Sequence, residues 1–445
     1  MPSRSIVLVQ LPAFLRYPIV LSTLACAICT TALEPKVQGQ SAAKSQSKIT
    51  PEERAAMKQA EEKEKMDQAL LRRQSFGSIP PNDDSPLAKA YSAAFVAFRQ
   101  SVADLDEARN RQQLSLDYSL ESQNAILDAW CKAISKTNDT YAEWIQKAGE
   151  LYASDPVKYK AAGKTLTEML MSDVELDRFD GWLSPVKALM TSEADISDEV
   201  RKAIGMVGLA NCDFNLVERC WSPLKESGKL TGNELGYLND LPTIRERWAR
   251  ELEIRQKESQ LGNNPLVELT TSKGRIVIEL YEDSAPNAVA SFIYLVENHF
   301  YDKKTFFRVV KHVCAQTGCE KGDGTGDAGY QFKGEADLPD RRHHFRGTVS
   351  VALGSDETGK VNQNASGSQI YFSFLPMPFL DDTYTVFGRV VEGMPSINLF
   401  RTMNLADEKE RKEGNKRPEM ILSAKVIRKR DHEYRPTILT GKLYR

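Results

Sequence analysis

The sequence predicts a multidomain α + β chain: an all-helical N-terminal part, then a closed antiparallel sheet with few helices. Three observations carry this. From Leu87 to about Gln260, apolar residues recur at spacings of three and four, as on one face of a helix. After "KESQLGNNP" (257–265) the pattern changes to apolar–polar alternation, the mark of strands. At 445 residues the chain is also too long for one typical domain.

The first 32 residues read as targeting rather than fold. Arg4 and Arg16 flank an apolar stretch, and "PIVLSTLACAICTTA" (18–32) follows. That run falls short of the about 20 residues needed to span a bilayer and ends in small residues suited to cleavage near Ala32. Residues 1–32 are expected to be a signal peptide, and the mature protein to be exported, periplasmic or in the cell envelope. The alternatives are an uncleaved signal that anchors the chain, or a lipid on Cys26. Thr23 stands against the lipid, where a large aliphatic residue is wanted. Residues 33–85 are expected to be a disordered or solvated helical leader. They are rich in Gln, Ser, Ala and Lys, pass through "PEERAAMKQAEEKEKMDQALLRR", and end in the helix-breaking "GSIPPNDDSP".

Residues 86–260 form the helical domain. Phe95, Phe98, Val102 and Leu105 make one apolar stripe, and Ala125, Ile126, Ala129 and Trp130 another. "DVELDRFDGWLSP" (173–185) and "DFNLVERCWSP" (213–223) share a leading Asp, a Leu three later, and a terminal Trp and Ser-Pro. That echo fits stacked helix pairs of an α-solenoid, tetratricopeptide-like, with chance similarity in an irregular bundle as the alternative. Trp182 and Trp221 are expected in the core.

Residues 262–430 form the sheet domain, and 431–445 a C-terminal tail. "LVELTTSKGRIVIELY" reads as a hairpin turning at Ser-Lys-Gly. "SAPNAVASFIYLVENHFY" reads as a helix with Ser284 as cap candidate, Pro286 in its first turn, and Val289, Phe292, Ile293 and Val296 on its apolar face. "TFFRVV", "GTVSVAL", "SQIYFSF", "YTVFGRVV" and "MILSAKVIRK" are the further strands.

Composition excludes some functions. With 27% charged residues but a net charge of −2, nothing attracts nucleic acid or an anionic membrane, and no stable membrane span is expected after signal cleavage. Besides Cys26 and Cys29 there are Cys131, Cys212, Cys220, Cys314 and Cys319, without a CxxC pair, so no metal is expected. Their odd number leaves at least one free thiol or an intermolecular bridge. Cys314 and Cys319 are expected to stay unbridged.

The chemistry centres on "KTFFRVVKHVCAQTGC" (304–319), where Arg308 sits among apolar residues without an acid beside it, followed by Gln316. Read alone, Arg308 would be a solvated strand residue. "FFRVVKHVCAQTG", "SGSQIYFSF" and "FLDDTYTVFGRVVEGM", in this order, resemble the cyclophilin family of peptidyl-prolyl isomerases over about residues 266–429. The resemblance implies a closed eight-stranded antiparallel β-barrel with two helices, and an enzyme that needs no cofactor. A prolyl amide resists rotation because resonance stiffens its C–N bond, with a barrier near ~20 kcal/mol. Half-way round, the nitrogen regains a lone pair, and a fixed donor aimed at it favours that state over either isomer.

By the resemblance, Arg308 and Gln316 are catalytic. Phe307, Val313, Cys314, Tyr371, Phe379, Leu380 and Tyr384 would hold the proline ring or border it, Gln369 would line the neighbouring groove, and backbone groups of Ala352 and Leu353 would pair with the peptide. Four departures are expected to weaken the activity, one of them Leu353 where asparagine is common, though that contact uses the backbone. Val313 stands where phenylalanine is usual, Cys314 where methionine is, and "GSDETGKVNQNASGSQ" makes a longer loop. "RRHH" (341–344) reads as a surface turn, "GDGTGDAG" (322–329) as a groove rim rather than a phosphate loop, and "DEKERKEGNKR" as a solvated loop.

The expected function is isomerisation of X-Pro bonds in exported proteins, as a folding catalyst. The expected partners are proline-containing polypeptides or unfolded client proteins, with a protein partner through the helical domain. The alternatives are a catalytically weak proline-peptide binding module and a periplasmic chaperone scaffold.

Overall fold

Two long helices come first among the described residues. In the computed structural model, residues 83–114, 120–230, 232–355, 361–412 and 417–444 are described. The expected signal peptide (1–32) and the leader as far as residue 82 lie outside the described residues. α1 (Pro86–Leu114) and α2 (Leu120–Ser154) pack along each other. Phe98 stacks on Trp144 with centroids 5.3 Å apart, and Phe95 and Tyr141 complete the cluster. This is the predicted apolar stripe meeting an aromatic partner on the next helix.

α3 (Lys160–Glu175), α4 (Leu183–Leu189), a 3-10 turn (Met190–Asp195), α5 (Asp198–Ala210) and α6 (Phe214–Glu226) follow. The two echoing segments take different conformations. Asp173 is a buried residue within α3 that accepts from Trp182 Nε1 at 2.9 Å, whereas Asp213 caps α6 through Leu216 N at 3.1 Å. The echo is therefore not a structural repeat. Trp182 and Trp221 are both fully buried, and Gly205 is required because a Cβ there would fall 1.9 Å from Trp221 Nε1.

α7 (Gly232–Leu261) runs on through Pro242 and ends at the left-handed Gly262. The sheet then begins: β1 (Leu266–Thr271) and β2 (Gly274–Leu280) make the expected hairpin. α8 (Pro286–Glu297) carries its proline at the start, but Ser284 does not cap it; the Glu335 carboxylate accepts from Asn287 N and Ala288 N, each at 2.9 Å. The remaining elements are β3 (Arg308–Val310), β4 (Cys314–Thr317), β5 (Tyr330–Gln331), β6 (Thr348–Ser355), β7 (Val361–Ser373), β8 (Val386–Glu392), α9 (Met394–Ile397), β9 (Met403–Asn404), α10 (Glu408–Lys412), β10 (Ile421–Arg428) and β11 (Thr440–Gly441).

One curled antiparallel sheet has the order β10-β1-β2-β8-β6-β7-β4-β3-β9, nine strands where eight are expected because the two-residue β9 adds to β3. The run entering β3 also bonds the start of β10, through Lys303 N to Ile421 O (2.8 Å), Ile421 N to Lys304 O (2.9 Å) and Phe306 N to Glu419 O (2.8 Å). Val309, Ala315, Val349, Val351, Ile370 and Phe372 point to the core, which α8 covers with Val289, Phe292, Ile293 and Val296. Much of the expected loop at 354–367 is strand: β6 reaches Ser355 and β7 starts at Val361. The expected tail is docked, with Tyr434 buried, Tyr444 edge-on to Phe300 and β11 paired to β5.

All described residues belong to one compact unit, so the helical part and the sheet share a packed boundary. Trp248 of α7 sits edge-on to Phe345, and Trp130 of α2 donates to Ser272 O at 3.1 Å. The "RRHH" run is not a surface turn, since Arg342, His343 and His344 are all buried. Arg342 grips Glu251 of α7 with Nε and Nη2, both at 2.7 Å, reaches Glu258 with Nη1 at 2.7 Å, and lies 3.5 Å over the Tyr281 ring. Charged side chains enter an interior when their partners enter with them.

Candidate active site

Strand alternation builds the site. Residues two apart share a face, so Val309 and Ala315 turn inward while Arg308, Cys314 and Gln316 turn outward. Register then lines up Asn404, Arg308, Gln316, Tyr371 and Ser350 across β9, β3, β4, β7 and β6 in one row. Four of the sequence-predicted positions are thereby placed: Arg308 and Gln316 are direct partners, Gln316 and Tyr371 are partners, and Cys314 lies one pleat from Gln316.

Arg308 is 4% exposed and has no carboxylate partner among the described residues. Its Nη1 donates to Cys314 Sγ at 3.2 Å and to Gln316 Oε1 at 3.4 Å. Nε and Nη2 have no hydrogen-bond partner among the described residues, so the guanidinium keeps donors to offer. Gln316 Nε2 donates to Gln369 Oε1 at 3.0 Å, and Gln369 Nε2 donates to Gly324 O and Gly326 O at 3.0 and 2.9 Å. The glycine-rich run at 322–329 is thus tied through both glutamines to Arg308, and Gln369 acts as an internal brace. Cys319 Sγ accepts from Gly324 N and Gly326 N and holds the same turn from below. Phe307 is fully buried beside Gly324, supporting that turn.

Tyr384 faces this row. Its ring is edge-on to Tyr371 with centroids 6.2 Å apart, and its backbone N bonds to Leu380 O. Burial pushes the Tyr384 phenol up to about 12, with Arg308 pulling the other way. Val313, Cys314 and Leu380 are buried and Phe379 is half-buried, flanking the row at the β3–β4 turn and before Tyr384. On β6, Ala352 falls in the register shift between Val351 and Leu353, and Leu353 pairs with Ser366. Among the described residues the Arg308 side chain bonds only Cys314 Sγ and Gln316 Oε1, so what the guanidinium offers is hydrogen-bond donation beside an apolar enclosure.

The family profile described as "Cyclophilin type peptidyl-prolyl cis-trans isomerase/CLD" matches residues 266–426. A peptidyl-prolyl cis-trans isomerase of Helicobacter pylori is 38% identical over 135 residues, 30% of this chain and 77% of that protein. The chain belongs to the cyclophilin-type peptidyl-prolyl isomerases. Two further relatives of this family are an isomerase of Synechococcus elongatus, 37% identical over 36% of this chain and 94% of its own length, and peptidyl-prolyl cis-trans isomerase B of Bacillus subtilis, 38% identical over 27% and 78%. The profile match begins where the sheet begins, so the helices of 86–261 lie outside it.

Around the cyclophilin row the sequence reading missed His344 and Asp381. His344 Nδ1 and N both meet Asp381 Oδ1, at 2.7 and 2.8 Å, and His344 Nε2 meets the Tyr371 hydroxyl at 2.8 Å. A signal was present, since an "LDD" run and a paired-histidine run together supply the right groups, but their separation of 37 residues hid it.

The thiols make one testable point. None of the five described cysteines is in a disulfide. Burial raises Cys314, with Arg308 opposing, and pushes Cys131 up to about 11 and Cys212 up to about 12. Because the thiolate is the reactive form, iodoacetamide at pH 7.5 is expected to alkylate these three at least ~10-fold more slowly in the folded cyclophilin than in urea. Mass mapping of the labelled peptides checks this; Cys314 labelled at its unfolded rate would contradict it.

Proposed function

We propose that this chain isomerises X-Pro bonds in proline-containing segments of exported proteins, as a folding catalyst, by stabilising the half-rotated imide without covalent chemistry. The observation that carries the reading is the Arg308–Gln316–Tyr371 row, in which a buried guanidinium keeps unbonded donors beside apolar walls. A proline ring packed among Val313, Cys314, Tyr371, Phe379, Leu380 and Tyr384 would bring its nitrogen to Arg308. As the C–N bond twists, the nitrogen pyramidalises and becomes an acceptor for Arg308 N–H, a bond neither planar isomer can make. The Gln316–Gln369 brace fixes the guanidinium beforehand, so little reorganisation accompanies the twist. Gln316 would hold the flanking peptide, and the backbone of Ala352 and Leu353 would pair with it. The signal-like composition of residues 1–32 is what supports export, and exported clients go with that compartment.

A second reading, a proline-peptide binding module with little turnover, is favoured by Val313, a small side chain where a ring would clasp proline. Protease-coupled isomerisation of a proline tetrapeptide by the full chain separates the two. Acceleration that saturates with substrate supports the enzyme; saturable binding with the uncatalysed rate supports the module and defeats the proposal.

A further inference from the structure

We propose that Arg247 of α7 is a positioning residue for the isomerase site, acting through Asp381 and His344 on the Tyr371 ring. The inference rests on the assignment of Tyr371 to the proline socket. It gives a working role to a helix that lies outside the family match.

The four residues form one continuous hydrogen-bonded chain. Arg247 Nη1 donates to Asp381 Oδ2 at 2.6 Å. The other oxygen of Asp381 accepts from His344 Nδ1 at 2.7 Å and from His344 N at 2.8 Å. His344 Nε2 then meets the Tyr371 hydroxyl at 2.8 Å, with the two rings parallel to within 2°. A carboxylate can only accept, so Nδ1 carries a proton toward Asp381, and in the neutral imidazole Nε2 accepts from the phenol. The side chains of Asp381 and His344 are 2% and 0% exposed, and that of Arg247 is 22% exposed.

Each link has a physical reason. Asp381 is an anion taken out of water, and the Arg247 guanidinium is the cation that meets it. With that carboxylate fixed from both sides, the His344 ring has one tautomer and one orientation. The phenol in turn is held at its far end. Dispersion contact between a ring and proline falls by a quarter to a half when a gap of ~0.5–1 Å opens, so a loosened floor loses much of its grip. Tyr371 shares its register row with Arg308 and Gln316, which ties floor and donor to one strand geometry. Other charges near the chain are Arg341 and Asp382, paired with each other, and His343. Arg247 also reaches Asp382 and Pro378 O at 3.4 Å, which gives it a direct hold on the segment bearing Phe379 and Leu380.

A double-mutant cycle on the full-length chain separates the relay from that direct hold. Arg247→Ala is expected to lower kcat/KM for a proline peptide ~10-fold, with Arg247→Lys recovering part of it. Tyr371→Phe cuts the phenol from His344 and is expected to lower kcat/KM similarly. In the relay, Arg247→Ala adds little once Tyr371→Phe is present. Losses that multiply, or an Arg247→Ala variant as active as the parent, overturn the proposal. A second readout needs no turnover: the Tyr371 Cζ and His344 ring-nitrogen NMR shifts are expected to move in Arg247→Ala, and unchanged shifts overturn the relay. A parent without turnover would instead sink the isomerase assignment, and the shifts would still decide whether Arg247 controls the Tyr371 ring.

Discussion

Arg308→Ala is expected to lower kcat and kcat/KM for X-Pro isomerisation together, by ~10²–10³-fold, while the variant stays folded and still binds proline peptides. Removing one preorganised donor from a transition state costs ~3–4 kcal/mol. An interaction made only in the transition state is lost from kcat rather than from KM. The fold has little reason to suffer. Arg308 is a buried cation with no carboxylate partner among the described residues, and its Nη1 bonds reach only Cys314 Sγ and Gln316 Oε1. Gln316 keeps Gln369 as partner when the arginine goes. Arg308→Lys is expected to recover only part of the rate, because an ammonium lacks the planar fork that the row holds in place. Steady-state kinetics with thermal melts checks all three statements; a variant that loses KM instead of kcat would assign Arg308 to ground-state binding.

Arg342→Met is expected to destabilise the full chain by ~3–5 kcal/mol, because it strands Glu251 without its main cation. Glu251 is 2% exposed and accepts from Arg342 through both oxygens, and from Arg255 at 2.6 Å. Burial pushes its carboxyl up, but Arg342 and Arg255 pull harder and leave it below the ordinary carboxylate range. A carboxyl lowered by folding contributes stability that is fully present above its unfolded value near ~4.5 and is lost as pH falls through the folded value. The Arg342→Met penalty should therefore shrink in acid. Glu251→Gln combined with Arg342→Met should cost less than the sum of the singles, since the second change removes the stranded charge. Urea unfolding at pH 7 and pH 4 reads these outcomes. Penalties that add and ignore pH would contradict a shared ion pair. A fragment starting at residue 262 would lose Glu251, Glu258 and Arg247 together, so it is expected to be less stable than the same span within the whole chain.

What was legible in the sequence follows from how local each signal is. Arg308, Gln316 and Tyr371 could be chosen because the motifs that carry the family resemblance contain them, and the register sets the three in one row. The hairpin at 266–280 and the helix at 286–297 announce themselves through period and turn residues. The failures are non-local. Arg342 reads as exposed because arginine usually is, and the carboxylate that draws it inward lies 91 residues earlier. Glu335 replaces Ser284 as the cap of α8 from 47–48 residues away. The echo between 173–185 and 213–223 fails for the opposite reason: similar letters take different structure when one Asp lies within a helix and the other caps one. The tail was unreadable because a two-residue strand carries no pattern, although Tyr434 anchors it on Glu282 at 2.6 Å.

Equilibrium exchange spectroscopy on a proline peptide, with catalytic amounts of the full chain, tests the central claim most directly. The account predicts exchange peaks between the cis and trans forms that appear only with the parent protein, and that vanish in Arg308→Ala although the peptide still binds. Equal exchange with parent and variant, or tight binding by the parent without exchange, would contradict it.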